Sequence, residues 1–347
     1  MSRAAATGAV LRARAPLRLG LAGGGTDLSP YCDAHGGAVL NVTIDRYAYA
    51  SLAPSGDGAL HFHAPDIAVA ERHDPARPGG QLVLHQAVAR RMARDFAAGV
   101  LPAVTVTSFV DAPPGSGLGS SSALVVALVE VFAALFAAPL GPYDIAHLAY
   151  EIERVDLGLA GGRQDQYAAA FGGVNFIEFL AGDRVIVNPL RVAPAMLAEL
   201  ETALVICFTG VSRRSETIIV EQQRRMAEPA GGALADLHRL KADALAMKDA
   251  LLRGEIARMG AILERSWAAK KRTASGISTA PMERLRAAAM AAGALAGKVS
   301  GAGGGGFMMF LVPPEKRVAV IGALREAGAE ASGVHFTARG AEHWVAP

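Results

Sequence analysis

The chain contains 347 residues, which is more than a single domain usually has, so we expect two packed domains. Hydrophobic residues make up 52% of the sequence and charged residues 19%, which is enough apolar material for complete cores. The 34 basic and 32 acidic residues leave a net charge of +2. Because a nucleic-acid-binding protein normally carries a concentrated basic face, we expect no nucleic acid among the partners.

Cysteine usage and hydropathy indicate the cellular compartment that the protein occupies. Cys32 and Cys207 lie far apart and form no CxxC pair, which argues against a disulfide framework or a zinc site and favours a reducing cytoplasm. No apolar run reaches the roughly 18–20 residues that span a bilayer, so we expect no membrane partner. The first 26 residues carry four arginines and no acid, as a transit peptide does, but Arg18 already belongs to a motif.

The first motif is APLRLGLAGGGTD, residues 15–27, in which an apolar strand runs into a glycine loop that ends in a carboxylate. It loosely resembles a dinucleotide-binding turn. However, residues 27–37 form no clear amphipathic helix, and the acid follows at once instead of about twenty residues later. Thr26 and Asp27 are therefore candidates for hydrogen bonds to sugar hydroxyls. The alternative is a Thr-Asp pair that only caps the turn.

The second motif is PPGSGLGSSSA, residues 113–123, which leads into the apolar run 123–136. Before it we predict strands over 37–53 and 103–110 and a helix from about residue 85. Three glycines in five positions, followed by a helix N-terminus, form a cradle for phosphate. The alternative is an ordinary glycine–serine helix cap. No lysine follows the glycines, so the loop is not a Walker A loop.

Two carboxylates follow in the segment after this helix. Glu153 lies on a helix predicted over 143–157, and Asp165 lies beyond a glycine turn. A kinase needs one carboxylate that binds magnesium and another group that orients or deprotonates the attacking hydroxyl. The pair could supply both, although a spacing of twelve residues is not specific. A glycine turn and a strand over 171–179 complete this half of the chain.

The composition changes near residues 188–200, where Pro189 and Pro194 interrupt the pattern, and we place a domain boundary there. The expected domains are 1–190, with the nucleotide and catalytic residues, and 191–347. The second half alternates strands and helices, which favours an α+β domain. Its predicted elements are a strand over 202–208, helices over 215–228, 233–252 and 255–271 and from 281, a strand at FMMFLV, a helix at EKRVAVIGALREAG and a last strand near 333–338.

The third motif is KVSGAGGGG, residues 298–306, which ends in four consecutive glycines before a buried strand. So many glycines cost conformational entropy unless a ligand or another backbone approaches closely. The alternative is a packing contact between strand and helix.

Taken together and in this order, the three motifs resemble those of the GHMP kinase superfamily, which includes galactokinase, homoserine kinase and mevalonate kinase. The resemblance implies an α+β, two-domain fold with an N-terminal ribosomal-protein-like αβ domain and a C-terminal ferredoxin-like domain. It also implies ATP and Mg²⁺ as cofactors. Within the superfamily, residues 15–27 and the GISTAP segment at 276–281 look most like the D-glycero-D-manno-heptose 7-phosphate kinases. Gly23 to Gly25 stand where galactokinase carries Gly-Glu-His, which argues against a galactokinase.

The resemblance also assigns roles to residues. Asp165 corresponds to the catalytic aspartate and Arg18 to the basic residue that pairs with it. Ser121, with Ser120 or Ser122 as alternatives, and Glu153 correspond to the magnesium ligands. The expected nucleotide-binding residues are Pro114, Gly115, Ser116, Gly117, Leu118, Gly119, Ser120, Ser121 and Ser122. The expected substrate-binding residues of the three glycine segments are Gly25, Thr26, Asp27, Gly161, Gly162, Gly303 and Gly304.

A phosphorylated substrate also requires a cationic pocket, because phosphate pairs best with arginine and lysine. The candidates are Arg213 and Arg214 in TGVSRRSE and a second cluster, Lys270, Lys271 and Arg272, from which we select Lys271. The alternative is that both clusters are solvated helix faces.

The function that the family resemblance implies is ATP-dependent phosphorylation of the anomeric hydroxyl of a heptose 7-phosphate. The product would serve the synthesis of nucleotide-activated heptose for surface polysaccharide. The alternatives are a kinase for a free, fucose- or mannose-like sugar and a non-catalytic sugar sensor on the same fold. A homodimer is expected only as a general tendency of soluble enzymes.

Overall fold

The computed structural model describes residues 9–73, 80–211, 215–226 and 232–347. It consists of two β-sheets with helices packed on them. No helix in the described part of the chain is long and apolar enough to cross a membrane.

The first sheet has eight strands in the described residues, and its central strand is the longest. This strand pairs with β1 along most of its length, with β6 in its first half and with β5 in its second. The order is β12-β1-β2-β5-β3-β4, and β7 pairs with β6. These strands are β1 (Leu11–Ala22), β2 (Gly37–Pro54), β3 (His61–Ala64), β4 (Val69–Arg72), β5 (Val104–Val110), β6 (Val174–Phe179), β7 (Val185–Pro189) and β12 (Glu342–Val345).

Irregular pairing between β1 and β2 brackets Arg18. The register shifts between Pro16 and Arg18 and again between Gly20 and Ala22. Irregularities of this kind bend a strand and redirect a side chain. Here they leave Arg18 almost completely buried at the end of the sheet nearest the glycine loops.

The helices of the first half pack around one apolar helix. They are α1 (Tyr31–His35), α2 (Val83–Phe96), α3 (Ser120–Phe136), α4 (Pro142–Glu151) and α5 (Gln164–Phe171). As predicted from its hydrophobicity on nearly every face, α3 is buried along its length, between the sheet and its neighbouring helices. Its N-terminus is therefore held rigidly, which matters for the loop before it.

The second sheet has the strand order β11-β8-β10-β9, with all neighbours antiparallel. In chain order this is 4-1-3-2, the arrangement of a ferredoxin-like βαββαβ unit, as expected. Its strands are β8 (Leu204–Phe208), β9 (Ala296–Val299), β10 (Phe307–Leu311) and β11 (Glu330–Gly333). The helices of this half are α6 (Pro194–Ala203), α7 (Ser215–Met226), α8 (Ala233–Arg253), α9 (Ile256–Thr273), α10 (Ala280–Ala291) and α11 (Arg317–Glu326).

The end of the chain differs from the prediction. Residues 333–338 were expected to form the last strand, but β11 ends at Gly333 and the chain then crosses to the first sheet. There the backbone N–H of Thr337 donates to Thr43 and β12 pairs with β1. The predicted domain 191–347 therefore gives its last strand to the first sheet, because β1 has a free edge that β12 covers. The boundary at 190/191, between β7 and α6, stays a prediction.

A continuous hydrophobic core joins the two sheets. Leu204 and Ile206 of the second sheet belong to the same buried cluster as Leu19 and Leu21 of β1. Helix α8 packs against both β1 and β2. The two halves are thus held together where the three glycine segments meet.

Candidate active site

A cavity of about 620 Å³ lies where the three glycine segments converge. Its walls include β1 and the loop after it, the start of α3, the turn before α5, and helices α7 and α9. The sequence separation of these segments is large, so the site exists only in the folded chain.

The loop before α3 has the geometry of a phosphate cradle. Gly115, Gly117 and Gly119 all have positive φ, at 70°, 75° and 76°, a conformation that favours glycine. Gly119 is the N-cap of α3, and it has no side chain that could occupy the first-turn N–H groups. Those groups and the partial positive charge of the helix end are therefore available to an anion.

Most of the predicted loop residues line the cavity, but two do not. Ser116 is fully buried and lies 3.3 Å from the Ser120 hydroxyl. The side chain of Leu118 lies in the core, and its carbonyl accepts a hydrogen bond from the Arg18 backbone. The alternating loop directs these two side chains inward while the glycines face the cavity, and a part for the two residues in nucleotide binding stays a prediction.

Arg18 connects all three glycine segments. Its Nε donates to Asp165 Oδ1 at 2.7 Å, and its Nη2 lies 2.6 Å from the same oxygen. Its Nη1 donates to the carbonyl of Gly117 at 2.8 Å and lies 3.3 Å from the carbonyl and the hydroxyl of Ser300. The structure thus brings the predicted pair Arg18 and Asp165 together at the mouth of the phosphate loop.

Asp165 lies in the first turn of α5, next to the start of α3. A Cβ on Gly119 would approach Asp165 Cγ to 3.2 Å. The carboxylate and the phosphate loop are therefore in contact, which is the arrangement that transfer of a phosphoryl group to a bound hydroxyl requires.

Glu153 is buried on a π-helical turn, Ile152–Asp156, that continues α4. Turns of this kind are frequent at functional sites, and this one replaces the end of the predicted α-helix. Gln166 Nε2 donates to Glu153 Oε2 at 2.5 Å, and the hydroxyl of Ser122 also bonds the carboxylate. Burial raises the pKa of Glu153 above its ordinary value.

A magnesium ion fits these residues. Mg²⁺ prefers oxygen ligands. In the described residues the buried Glu153 carboxylate has one ion-pair contact, with Arg154 Nη2 at 3.7 Å, so it gains from a further cation. Among the described residues no group of three or more His, Cys, Asp or Glu side chains could hold a metal, so phosphates and water would complete the shell. Ser121 lines the cavity, but Ser122 is the serine that bonds Glu153. The predicted choice of Ser121 stays a prediction.

Comparison with known proteins establishes the family. Residues 83–173 match the model of the GHMP kinases N terminal domain, and residues 247–330 match that of the GHMP kinases C terminal domain. A D-glycero-alpha-D-manno-heptose 7-phosphate kinase of Campylobacter jejuni is 42% identical over 337 residues, which are 96% of this chain and 98% of that protein. The chain belongs to the GHMP kinases.

Two further relatives extend the comparison. A solved structure described as a D-glycero-D-manno-heptose 1-phosphate kinase from Bacteroides thetaiotaomicron superposes with a TM-score of 0.80 at 38% identity, covering 96% of this chain and 98% of that one. The bifunctional fucokinase/GDP-fucose pyrophosphorylase of Arabidopsis thaliana is 25% identical over 315 residues, 85% of this chain but only 29% of that protein. The two-domain α+β fold expected from the motifs is thereby confirmed.

In this GHMP kinase, Asp27 joins two of the predicted substrate segments. Its carboxylate accepts hydrogen bonds from the backbone N–H groups of Gly25, Arg163 and Gln164 and from the Gln164 side chain. A Cβ on Gly162 would lie 1.9 Å from Asp27 Oδ2, so only glycine fits there. The observed bonds of Asp27 are structural, and its contact with a sugar stays a prediction.

Thr26 does not contribute to the cavity wall. It is fully buried, and its hydroxyl bonds the backbone of Gly23 and Ala38. The turn-capping alternative describes the observed bonds of Thr26, and its contact with a sugar stays a prediction. Gly25, Gly161 and Gly162 do line the cavity, as predicted.

The four-glycine run supports the site from behind. Gly303 and Gly304, predicted to contact substrate, pack against Ile277, whose carbonyl accepts from Gly304 N–H. A Cβ on Gly306 would lie 2.4 Å from the carbonyl of Ser116. Close backbone approach explains these glycines, and the cavity is lined by Ser300 to Ala302. A substrate contact of Gly303 and Gly304 stays a prediction.

The basic residues are distributed differently from the prediction. Arg213 and Arg214 lie outside the described residues. Lys271 is exposed, pairs with Glu283 at 3.3 Å and does not line the cavity. Its neighbour Lys270 lines the cavity, as does Lys298, to which the sequence analysis gave no role.

Helical periodicity could have indicated that Lys270, and not Lys271, lies on the cavity side of α9. Ser266 and Trp267 are buried and line the cavity, and Lys270 follows them at spacings of four and three residues on the same face of α9. Lys271 lies about 100° further around the helix.

The far end of the cavity was not anticipated from the sequence. It is mostly apolar, and its lining includes Ile67, Leu82, Val110 and Ala112. One polar pair is present there: His85 Nε2 and the Ser108 hydroxyl are 2.6 Å apart. Burial lowers the pKa of His85 to about 4, so the imidazole is neutral near pH 7. The apolar lining suits a purine ring.

Proposed function

We propose that this GHMP kinase transfers the γ-phosphoryl group of ATP to the anomeric hydroxyl of D-glycero-D-manno-heptose 7-phosphate. The product is the 1,7-bisphosphate, a precursor of nucleotide-activated heptose for surface polysaccharide. The observation that carries the proposal is the 42% identity, over 96% of this chain, to the Campylobacter jejuni enzyme of that name.

The nucleotide phosphates lie on the phosphate loop in this proposal. The free N–H groups at the start of α3 bind them, and the apolar end of the cavity holds the base. Mg²⁺, held by Glu153 and a serine hydroxyl, would neutralise phosphate charge. The catalytic residues act on the acceptor from the opposite side of Gly119.

Asp165 orients the anomeric hydroxyl and takes its proton as the new O–P bond forms and the bond from Pγ to the ADP oxygen breaks. Arg18 keeps Asp165 in place through Oδ1 and adds positive charge beside the transferring group. Because the transition state spreads charge over the phosphoryl oxygens, positioning and positive charge supply most of the rate.

The carbon of the acceptor that carries the phosphate is a separate part of the proposal. The names of the two heptose kinases place the phosphate on different carbons, C7 in one and C1 in the other. We favour C7 because the sequence identity to that enzyme is higher. A free sugar is the second candidate, favoured by the fucokinase relative at 25% identity.

The remaining parts of the proposal are the setting and the organisation of the chain. We place the enzyme in the cytoplasm, where ATP is available and where the two buried, free cysteines stay reduced. A homodimer and the domain limits 1–190 and 191–347 remain part of the proposal, with the last strand returned to the first sheet.

The test is ADP release with ATP and Mg²⁺ over a panel of acceptors. The panel contains the heptose with its phosphate on C7, with its phosphate on C1 and without phosphate, together with mannose, fucose, galactose, homoserine and mevalonate. A kcat/KM for the 7-phosphate well above that for every other acceptor supports the proposal. Turnover of a free sugar at a higher kcat/KM would replace it with the second candidate.

A further inference from the structure

Two lysines on the cavity wall have no anionic partner. Lys270 Nζ donates to the carbonyl of Gly24 at 3.1 Å, and Lys298 Nζ donates to the carbonyl of Val299 at 3.0 Å. Neither ammonium forms an ion pair with any carboxylate in the described residues. Both side chains line the same cavity as Arg18.

The surroundings of these two lysines disfavour their positive charge. Burial lowers the pKa of Lys270 to about 8, with Asp27 opposing the shift and Arg18 adding to it. Burial lowers the pKa of Lys298 to about 7, and the charges of Lys270 and Arg18 lower it further. Both side chains are partly buried, and charges held away from water are normally paired, so this arrangement favours binding of an anion.

The carboxylates of Asp165 and Asp27, which also line the cavity, already have other partners. Asp165 is engaged by Arg18 through Oδ1, and the Asp27 carboxylate accepts four hydrogen bonds from other residues. An anion that balances the lysines must therefore come with a ligand.

The location of Lys270 indicates which ligand supplies it. A Cβ on Gly25 would lie 3.0 Å from Lys270 Nζ, so this ammonium is directly beside the first glycine loop. That loop is joined through Asp27 to the turn that precedes Asp165, on the acceptor side of the site. The phosphate loop lies on the other side of Asp165, against Gly119.

We propose that Lys270 and Lys298 form the subsite for the phosphate that the acceptor already carries, and so make this kinase specific for a sugar phosphate over a free sugar. The inference rests on the proposed function, since it requires a phosphorylated acceptor. It replaces Lys271 in the predicted pocket.

The test compares three variants of the full-length enzyme: Lys270→Met, Lys298→Met and, as a matched control, Lys271→Met. Methionine keeps most of the length of the side chain and removes the charge. The acceptors are heptose 7-phosphate and the same heptose without phosphate, and KM is also measured for ATP.

The first two variants should each lower kcat/KM for the phosphorylated acceptor by about 10- to 100-fold, the usual value of a charged hydrogen bond. The loss should appear mainly in KM, with the KM for ATP and the activity on the free sugar unchanged. Lys271→Met should match the wild type. A raised KM for ATP, or an equal loss on both acceptors, would instead assign the lysines to the nucleotide or to the fold and overturn the inference.

Thermal unfolding separates a binding role from a structural one. Lys298→Met removes a partly buried positive charge and should raise the melting temperature of the ligand-free enzyme at pH 7 by about 1–3 °C. A lower melting temperature would mean that the lysine stabilises the fold, and would contradict the inference.

The outcomes also distinguish this inference from the proposed function. If the wild type turns over heptose 7-phosphate and the lysine variants do so equally well, the inference fails and the function stands. If the wild type turns over no phosphorylated sugar, the proposed function fails first and the inference fails with it.

Discussion

At the scale of single residues, the contact between Arg18 and Asp165 organises the candidate active site. The guanidinium holds one carboxylate oxygen with two nitrogens and also bonds the phosphate loop at Gly117 and the third loop at Ser300. Arginine suits this task because its donors are arranged in a rigid plane. One side chain therefore fixes the Asp165 carboxylate relative to both glycine loops.

Asp165→Asn tests the role of this carboxylate. The amide keeps the shape of the side chain but accepts no proton, so turnover should fall by a factor of about 10³ or more, while ATP affinity stays near that of the wild type. Single-turnover kinetics and ATP titration by calorimetry measure the two quantities. Retained turnover would remove Asp165 from the proposed mechanism.

The two cavity lysines predict a pH dependence. Lysine is charged below its pKa, so a phosphate subsite with pKa values of about 7 and about 8 weakens as the pH rises through that range. Arg18 faces both lysines, Asp27 faces Lys270, and Glu216 lines the same cavity. For the free enzyme, kcat/KM for the phosphorylated acceptor should fall between pH 7 and 9, and Lys298→Met should lose the lower step. A flat profile in the wild type would contradict this.

At the scale of elements, the N-terminus of α3 meets the N-terminus of α5, and a glycine makes the contact. Gly119 combines a left-handed backbone with a distance of 3.2 Å between a hypothetical Cβ and Asp165 Cγ. Gly232, the N-cap of α8, has a similar φ of 68°, but no atom of the described residues lies within 4 Å of its Cβ position. Alanine at either position should strain the backbone, but only alanine at position 119 should also displace Asp165.

Gly119→Ala and Gly232→Ala form the corresponding experiment. Each should lose about 1–2 kcal/mol of stability because alanine disfavours the left-handed conformation. Only Gly119→Ala should also lose turnover, by about 10-fold or more, because Asp165 must move. Urea unfolding and steady-state kinetics measure both effects. Equal turnover in the two variants would show that the contact does not position Asp165.

At the scale of the whole molecule, the last strand ties the end of the chain to the central helix. His343 of β12 lies 2.6 Å from Glu130, which is buried on the otherwise apolar α3. Gly340 approaches the carbonyl of Ala170 so closely that a Cβ would lie 2.1 Å from it. The first sheet, α3 and α5 are therefore completed by residues from the far end of the sequence.

His343→Ala should lower the free energy of unfolding by about 1–3 kcal/mol, because it leaves the buried Glu130 without this partner. The control is His147→Ala, which removes an exposed histidine 3.6 Å from Glu151 and should cost less than about 0.5 kcal/mol. Urea denaturation compares the two. Equal losses would show that the Glu130 contact is not a stabilising one.

The sequence was sufficient where local chemistry determines structure. Three glycines at alternate positions before an apolar run predicted a phosphate loop, and its neighbours Arg18 and Asp165 followed from the family resemblance. It was insufficient where the direction of a side chain depends on packing, as for Thr26 and for the choice between Lys270 and Lys271. The return of β12 to the first sheet is a long-range pairing, and no local pattern predicts such a pairing.

Identifying the reaction product tests whether the enzyme phosphorylates the anomeric hydroxyl of the heptose 7-phosphate. The enzyme, ATP, Mg²⁺ and D-glycero-D-manno-heptose 7-phosphate are incubated together, and the product is examined by phosphorus and proton NMR. We predict a second phosphate whose phosphorus couples to the anomeric proton, which identifies the product as the 1,7-bisphosphate. Phosphorylation at another carbon, or turnover only when the 7-phosphate is absent, would contradict it.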